Sequence, residues 1–266
     1  MARSQQETRK YRINKTRVAW VGGGFLILML LLFAIQKKND SVISGFEVEI
    51  VPLANEENVF ITESDIKTII KGNFDGDLVN TSLSRANVSR IESVLKQDPF
   101  IDRVETYVDA SNVVHAKVYQ RKPICRIIDN DSKQYYLSEK GEYIPLSKHY
   151  TARVPVVTGA ITNFSNDYLT NTNYKGNLRD IYHLIQLLES DNFFQPLIQQ
   201  IYVDANSEFT LVPNVGEQKI RIGNCNDIDD KFSRIKTFYK EAMPYTGWNT
   251  YSSISVKFKG QIVCKK

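Results

Sequence analysis

Cysteine and histidine are scarce in this 266-residue chain, at three copies each. Cys125, Cys225 and Cys264 lie far apart and are odd in number, so they offer no CxxC pair, no zinc-ligand spacing and no disulfide framework, and at least one thiol has no partner within the chain. His115, His149 and His183 are equally isolated, and none belongs to HExxH or a similar metal motif. The GxSxG elbow, the Walker loop and the GxGxxG turn are absent, as are internal repeats and low-complexity segments. A basic surface is missing as well. The net charge is +4, but the first 17 residues hold six basic and one acidic residue, which leaves the remaining 249 at −1. A near-neutral remainder has no electrostatic footprint for phosphate backbones and excludes nucleic acid as a main partner, whereas the tail suits anionic lipid headgroups or a cytoplasmic protein.

Long apolar runs are confined to one place. Residues 18–35 contain no charged side chain, and as a helix they span about 27 Å, close to the roughly 30 Å hydrocarbon core of a bilayer. Arg3, Arg9, Lys10, Arg12, Lys15 and Arg17 precede this stretch, and only Lys37 and Lys38 follow it at once, which predicts a membrane anchor with its tail held in the cytoplasm. A cleaved signal peptide would need a shorter apolar region and a small-x-small site, and Ala34-Ile35-Gln36 instead runs into the lysine pair.

Beyond the anchor, Phe46, Val48 and Ile50 alternate with Glu47 and Glu49, which predicts a strand. Thr62 and Asp65 form a capping arrangement ahead of Ile66, Ile69 and Ile70, and a second helix is predicted from Ser84 with Val88, Ile91 and Leu95 on one face. Residues 101–108 and 113–119 alternate around Asp109-Ala110-Ser111-Asn112, the residue types of a tight turn. The order β-α-α-β-β over 46–119 places Val104, Val108, Val114 and Val118 on one sheet face beneath both helices. After Pro123, short strands are predicted at 124–128, 135–137, 143–146 and 154–157. A surface loop covers 160–176, Asn177 caps a helix, strands follow at 198–203, 208–212 and 218–222, and a helix opens at Asn226 or Asp227 and ends before Pro244. Two closing strands, 253–258 and 261–265, turn at Lys259-Gly260, with Ile254, Val256 and Phe258 as a core-facing row and the last strand at a sheet edge.

Asp75-Gly76-Asp77 is the one carboxylate pair with a catalytic alternative, because Asp-x-Asp on a loop can hold a divalent ion and a sugar nucleotide, as in a type II membrane-anchored glycosyltransferase. The pair sits in a short interhelical connection, however, and no βαβ series builds a nucleotide-binding sheet. Asp229-Asp230 reads as first-turn charge complementing a helix dipole, and Glu56-Glu57 lies on a polar connector.

Taken in this order, the chain resembles the FtsQ/DivIB family of bacterial cell-division proteins over nearly its whole length. The likeness is carried by Gln120-Arg121-Lys122-Pro123-Ile124-Cys125, by Leu137-Ser138-Glu139-Lys140-Gly141-Glu142-Tyr143-Ile144-Pro145, by Val154-Pro155-Val156-Val157-Thr158-Gly159 and by Ile254-Ser255-Val256-Lys257-Phe258. Gln120 and Cys125 depart from the family's Glu-Arg-x-Pro-x-Ala junction, and Ser255 and Lys257 from its Ile-Asp-Leu-Arg-aromatic strand. The resemblance implies an α+β chain: a cytoplasmic tail (1–17), a transmembrane helix (18–35), a juxtamembrane linker (36–45), a polypeptide-transport-associated (POTRA)-like domain (46–122) and a β-rich domain with packed helices (123–266). It further implies a non-enzymatic divisome scaffold without cofactor or metal, set in the cytoplasmic membrane at the septum. The implied partners are FtsB-like and FtsL-like single-pass proteins, together with FtsK-like and FtsW/FtsI-like proteins. The implied partner-binding residues are Lys257, Phe258, Gly260, Gln261, Ile262, Val263, Cys264 and Lys265, where a partner strand adds by β-augmentation. An outer-membrane POTRA chaperone fits less well, since one POTRA-like unit is followed by no barrel strands.

Overall fold

The computed structural model describes residues 15–39, 41–53, 59–74, 76–83 and 87–266. Helix α1 (Lys15–Asn39) comes first, and every side chain from Phe25 to Phe33 is an exposed large hydrophobic. Several side chains of the expected span 18–35 lie outside the described set, and among the described residues no helix is long and apolar enough to cross a membrane.

The next unit contains β1 (Gly45–Val51), α2 (Glu63–Asn73), α3 (Val88–Leu95), β2 (Ile101–Val108) and β3 (Val113–Gln120). Its three strands lie in the order β1-β3-β2, with β1 parallel and β2 antiparallel to β3. Thr62 and Asp65 form the expected capping box: the Thr62 hydroxyl accepts from the Asp65 N–H at 3.3 Å, and the Asp65 carboxylate accepts from the Thr62 N–H at 3.0 Å. Helix α3 is described from Val88, and Ser84, its expected start, lies outside the described residues. Asn87 stands immediately before the apolar spacing, and its side-chain Oδ1 accepts from the Ser89 N–H at 3.1 Å, which caps the described helix. In the β2–β3 turn the Asp109 carboxylate accepts from the N–H groups of Ser111 and Val113, and Asn112 adopts a left-handed φ of 61°. Val104, Val114 and Val118 are buried against Ile66, Ile70, Ile91 and Leu95, with Val108 at the margin, so the strand register follows the alternation in the sequence. Ile43 is fully buried in the same core and pairs with residues 80 and 81 through its N–H and C=O, which ties the chain to this unit before β1 starts.

The second unit is built on a nine-stranded sheet, β12-β11-β10-β9-β8-β7-β4-β5-β6. Its strands are β4 (Pro123–Ile128), β5 (Gln134–Ser138), β6 (Tyr143–Pro145), β7 (Val156–Gly159), β8 (Ile198–Val203), β9 (Phe209–Pro213), β10 (Lys219–Gly223), β11 (Ser253–Ser255) and β12 (Val263–Lys265). Helices α4 (Leu178–Glu189) and α5 (Ile228–Thr237) pack on one face against Ile127, Val157, Ile201, Leu211, Ile220 and Ile254. Residues 160–176 form no regular element but are not merely superficial: Ile161 and Tyr168 are buried, and the Tyr168 hydroxyl donates to the Gly141 carbonyl at 3.0 Å. Asn177 stands at the N-terminus of α4 without capping it. Its side chain instead donates to the Ala160 carbonyl at 2.7 Å and accepts from the Thr162 N–H at 3.1 Å, fastening the preceding loop to the helix. Pro244 does not end the last helical segment. The chain passes through a π-helical turn (Phe238–Ala242) into a short α6 (Met243–Thr246), where Pro244 occupies the first turn.

A small third core joins the two units. Phe60, Tyr136 and Ile144 are buried together, and the Phe60 ring lies 5.8 Å from Phe100, 5.7 Å from Tyr136 and 5.4 Å from Tyr150. The Phe60 N–H donates to the Gln120 side chain at 2.6 Å, the Ser147 hydroxyl donates to the Phe60 carbonyl at 2.5 Å, and His149 Nε2 meets the Asp65 carboxylate at 2.9 Å.

Candidate functional site

The sheet ends at β12, whose inner side pairs antiparallel with β11 in the register Ser253↔Lys265, Ile254↔Cys264 and Ser255↔Val263. No strand among the described residues covers its outer side. Each closing strand has three residues, shorter than the alternation predicts. The chain leaves the sheet after Val256, whose N–H still donates to the Arg221 carbonyl at 2.9 Å. Ile254 and Val256 are buried as expected, but Phe258 is 55% exposed and does not continue the core-facing row. The physical reason lies on α5, where Arg234 draws the carbonyls of Val256, Phe258 and Gln261 out of sheet geometry.

The expected partner-binding residues therefore form a continuous terminal segment with divided roles. Lys257 extends over the sheet face away from the helices and pairs with Glu208 at 2.6 Å. Lys259-Gly260 makes the turn, and Gly260, at φ +68°, has a backbone conformation that side chains disfavour. Gln261 is exposed, Ile262 and Cys264 pack against the main core, and Val263 is 47% exposed. Lys265 is exposed, and its carbonyl accepts from the Ser252 N–H at 2.8 Å, closing the end of the hairpin. Burial raises the Cys264 thiol above its usual range and pushes Cys125 and Cys225 to about 12, so all three are protonated at neutral pH and are poor nucleophiles. All three are free.

Of the expected orientation residues, Arg9, Lys10 and Arg12 lie outside the described residues, while Lys15 and Arg17 fall on α1 with side chains outside them. Asp75 and Glu56-Glu57 also lie outside the described set, and Asp77 sits 3.6 Å from Lys71. His115 stacks on Tyr107 and approaches Glu47 at 3.3 Å and Asp109 at 3.4 Å, as a strand histidine on a charged sheet face. Arg234 and Glu208 were not singled out by the sequence. The only trace of the former is its i,i+4 spacing from Asp230, and of the latter nothing, because Glu208 and Lys257 are 49 residues apart.

A model of the POTRA-like domain matches residues 44–119, and one described as FtsQ/DivIB, C-terminal related, matches residues 122–265, more than half the chain. The chain belongs to the FtsQ/DivIB family. Comparison with curated proteins returns no match. Members of this family are in general membrane-anchored, non-enzymatic scaffolds of cell division with partners in the divisome.

Proposed function

We propose that this protein is a single-pass type II scaffold of the cytoplasmic membrane at the division septum, linking early and late division proteins and helping to regulate septal wall synthesis. In this reading residues 1–17 are the cytoplasmic tail and 18–35 the membrane helix, which the row of exposed apolar side chains from Phe25 to Phe33 supports. The POTRA-like domain (46–122) and the β-rich domain (123–266) both lie outside the cytoplasm. The first serves in recruitment, and FtsK-like and FtsW/FtsI-like proteins are further partners of the chain. The second captures FtsB-like and FtsL-like single-pass proteins.

The observation that carries the docking reading is the free outer side of β12 at the end of a nine-stranded sheet, with Val263 exposed on it. A strand added there gains main-chain hydrogen bonds, and alternate side chains supply specificity. Val263→Pro deletes an N–H and distorts the edge. That variant, and a chain lacking residues 261–266, should lose capture of a co-expressed FtsB-like protein while the POTRA-like domain still melts cooperatively. A folded deletion variant that captures the partner as tightly as the parent would remove the terminal strand as the docking site.

A further inference from the structure

Residues 256–262, which connect β11 to β12, lie outside any strand, yet they set the direction in which β12 runs. Their backbone is held from the helix side by one side chain. The Arg234 guanidinium donates from Nη1 to the carbonyls of Phe258 at 2.9 Å and Gln261 at 2.5 Å, and from Nη2 to that of Val256 at 3.1 Å. Asp230, one helical turn earlier, accepts from Nε at 3.0 Å and also lies 3.0 Å from Nη2, which fixes the plane of the fork. On the other side of the sheet, the Lys257–Glu208 pair pins the start of the same segment. Only 15% of the Arg234 side chain is exposed, and its bond to the buried Val256 is partly shielded from water, while those to Phe258 and Gln261 lie at the surface. An arginine fork can serve three carbonyls and one carboxylate at once, and a lysine ammonium on a single point cannot.

Two strands of three residues are marginal on their own, and a sheet end with so few ladder bonds opens at low free-energy cost. We propose that Arg234 is the positioning residue of the docking edge: by holding 256–262 through three carbonyls it keeps β12 extended on β11, so that a partner strand meets a preformed template. The binding consequence rests on the β12 docking reading; the effect on the edge itself belongs to the free protein. Apparent affinity scales with the fraction of molecules whose edge is formed, so a fall of that fraction to about one tenth weakens binding about tenfold.

The test uses the full chain in detergent, with Arg234→Gln, Arg234→Lys and Asp230→Asn beside the 261–266 deletion. Hydrogen exchange at those β12 amides that bond to β11 should accelerate at least about tenfold in both Arg234 variants and less in Asp230→Asn, while Leu211 and Ile220 in the sheet interior exchange as in the parent. Capture of the co-expressed FtsB-like protein should weaken about tenfold in the Arg234 variants, with the melting temperature nearly unchanged and no rescue by lysine. Parent-like exchange at the β12 amides that bond to β11 in Arg234→Gln would overturn the proposal. So would accelerated exchange with unaltered capture, provided the deletion abolishes capture. If the deletion leaves capture intact, the docking reading fails and the exchange data alone decide whether Arg234 holds the edge. Asp230→Asn supplies the same exchange readout if the Arg234 variants do not fold.

Discussion

Replacing Phe60 with alanine should uncouple the POTRA-like and β-rich units without unfolding either. Phe60 is 1% exposed and is surrounded by the rings of Phe100, Tyr136 and Tyr150. Burying a phenylalanine removes about 200 Å² from water, worth about 5 kcal/mol at 25 cal/mol per Å², and measured Phe→Ala costs of about 3–5 kcal/mol agree. Phe60 belongs to neither large core; it shares a separate cluster with Tyr136 and Ile144, so the cost falls on the joint. The small POTRA-like unit is the partner that depends on this joint, and a domain of that size has a margin on the order of 5 kcal/mol. With a sensitivity of about 4–8 °C per kcal/mol, a loss of about 3 kcal/mol lowers its melting by roughly 12–24 °C. Differential scanning calorimetry of the full chain should therefore show an early transition separating from that of the β-rich unit. A single transition at the parent temperature would refute the assignment of coupling to this aromatic cluster.

Val118→Asp should abolish cooperative melting of the POTRA-like unit, because Val118 is fully buried in its core and an unpaired buried charge costs several kcal/mol; near-parent circular dichroism melting would contradict the register. Asp65 gives a pH dependence. Hydrogen bonds from the Thr62 hydroxyl and N–H, and then His149, hold its carboxyl below the usual 3.8. A depressed carboxylate stabilises the fold above its unfolded pKa and loses that contribution as pH falls through the folded value. Asp65→Asn should thus be less stable than the parent at pH 7, and the difference should shrink below about pH 4; a difference constant from pH 7 to pH 2.5 in chemical denaturation would refute it.

The sequence by itself determined most local structure. Period-2 alternation placed β1, β2 and β3 and put Val118 on the buried face, since side-chain direction in a strand follows from parity alone. Thr62 and Asp65 sit three residues apart, so their capping box is a local contact and was legible. The position of β12 at the sheet end could be inferred only as far as a short last strand implies an edge; that β11 pairs parallel with β10 and β12 lies outermost depends on a crossover through α5 that no local pattern encodes. The tertiary structure alone decided where β11 stops. Phe258 has the alternation of a core residue, but three hydrogen bonds from a side chain on α5 pull its segment out of the ladder and leave its ring exposed. Asn177 was misread for a similar reason: an asparagine before an apolar helix caps it by default, unless a loop folded back from 160–162 offers its amide better partners. The aromatic joint was invisible for the plainest reason, since Phe60, Phe100 and Tyr136 come from three distant stretches and only packing brings their rings within 6 Å.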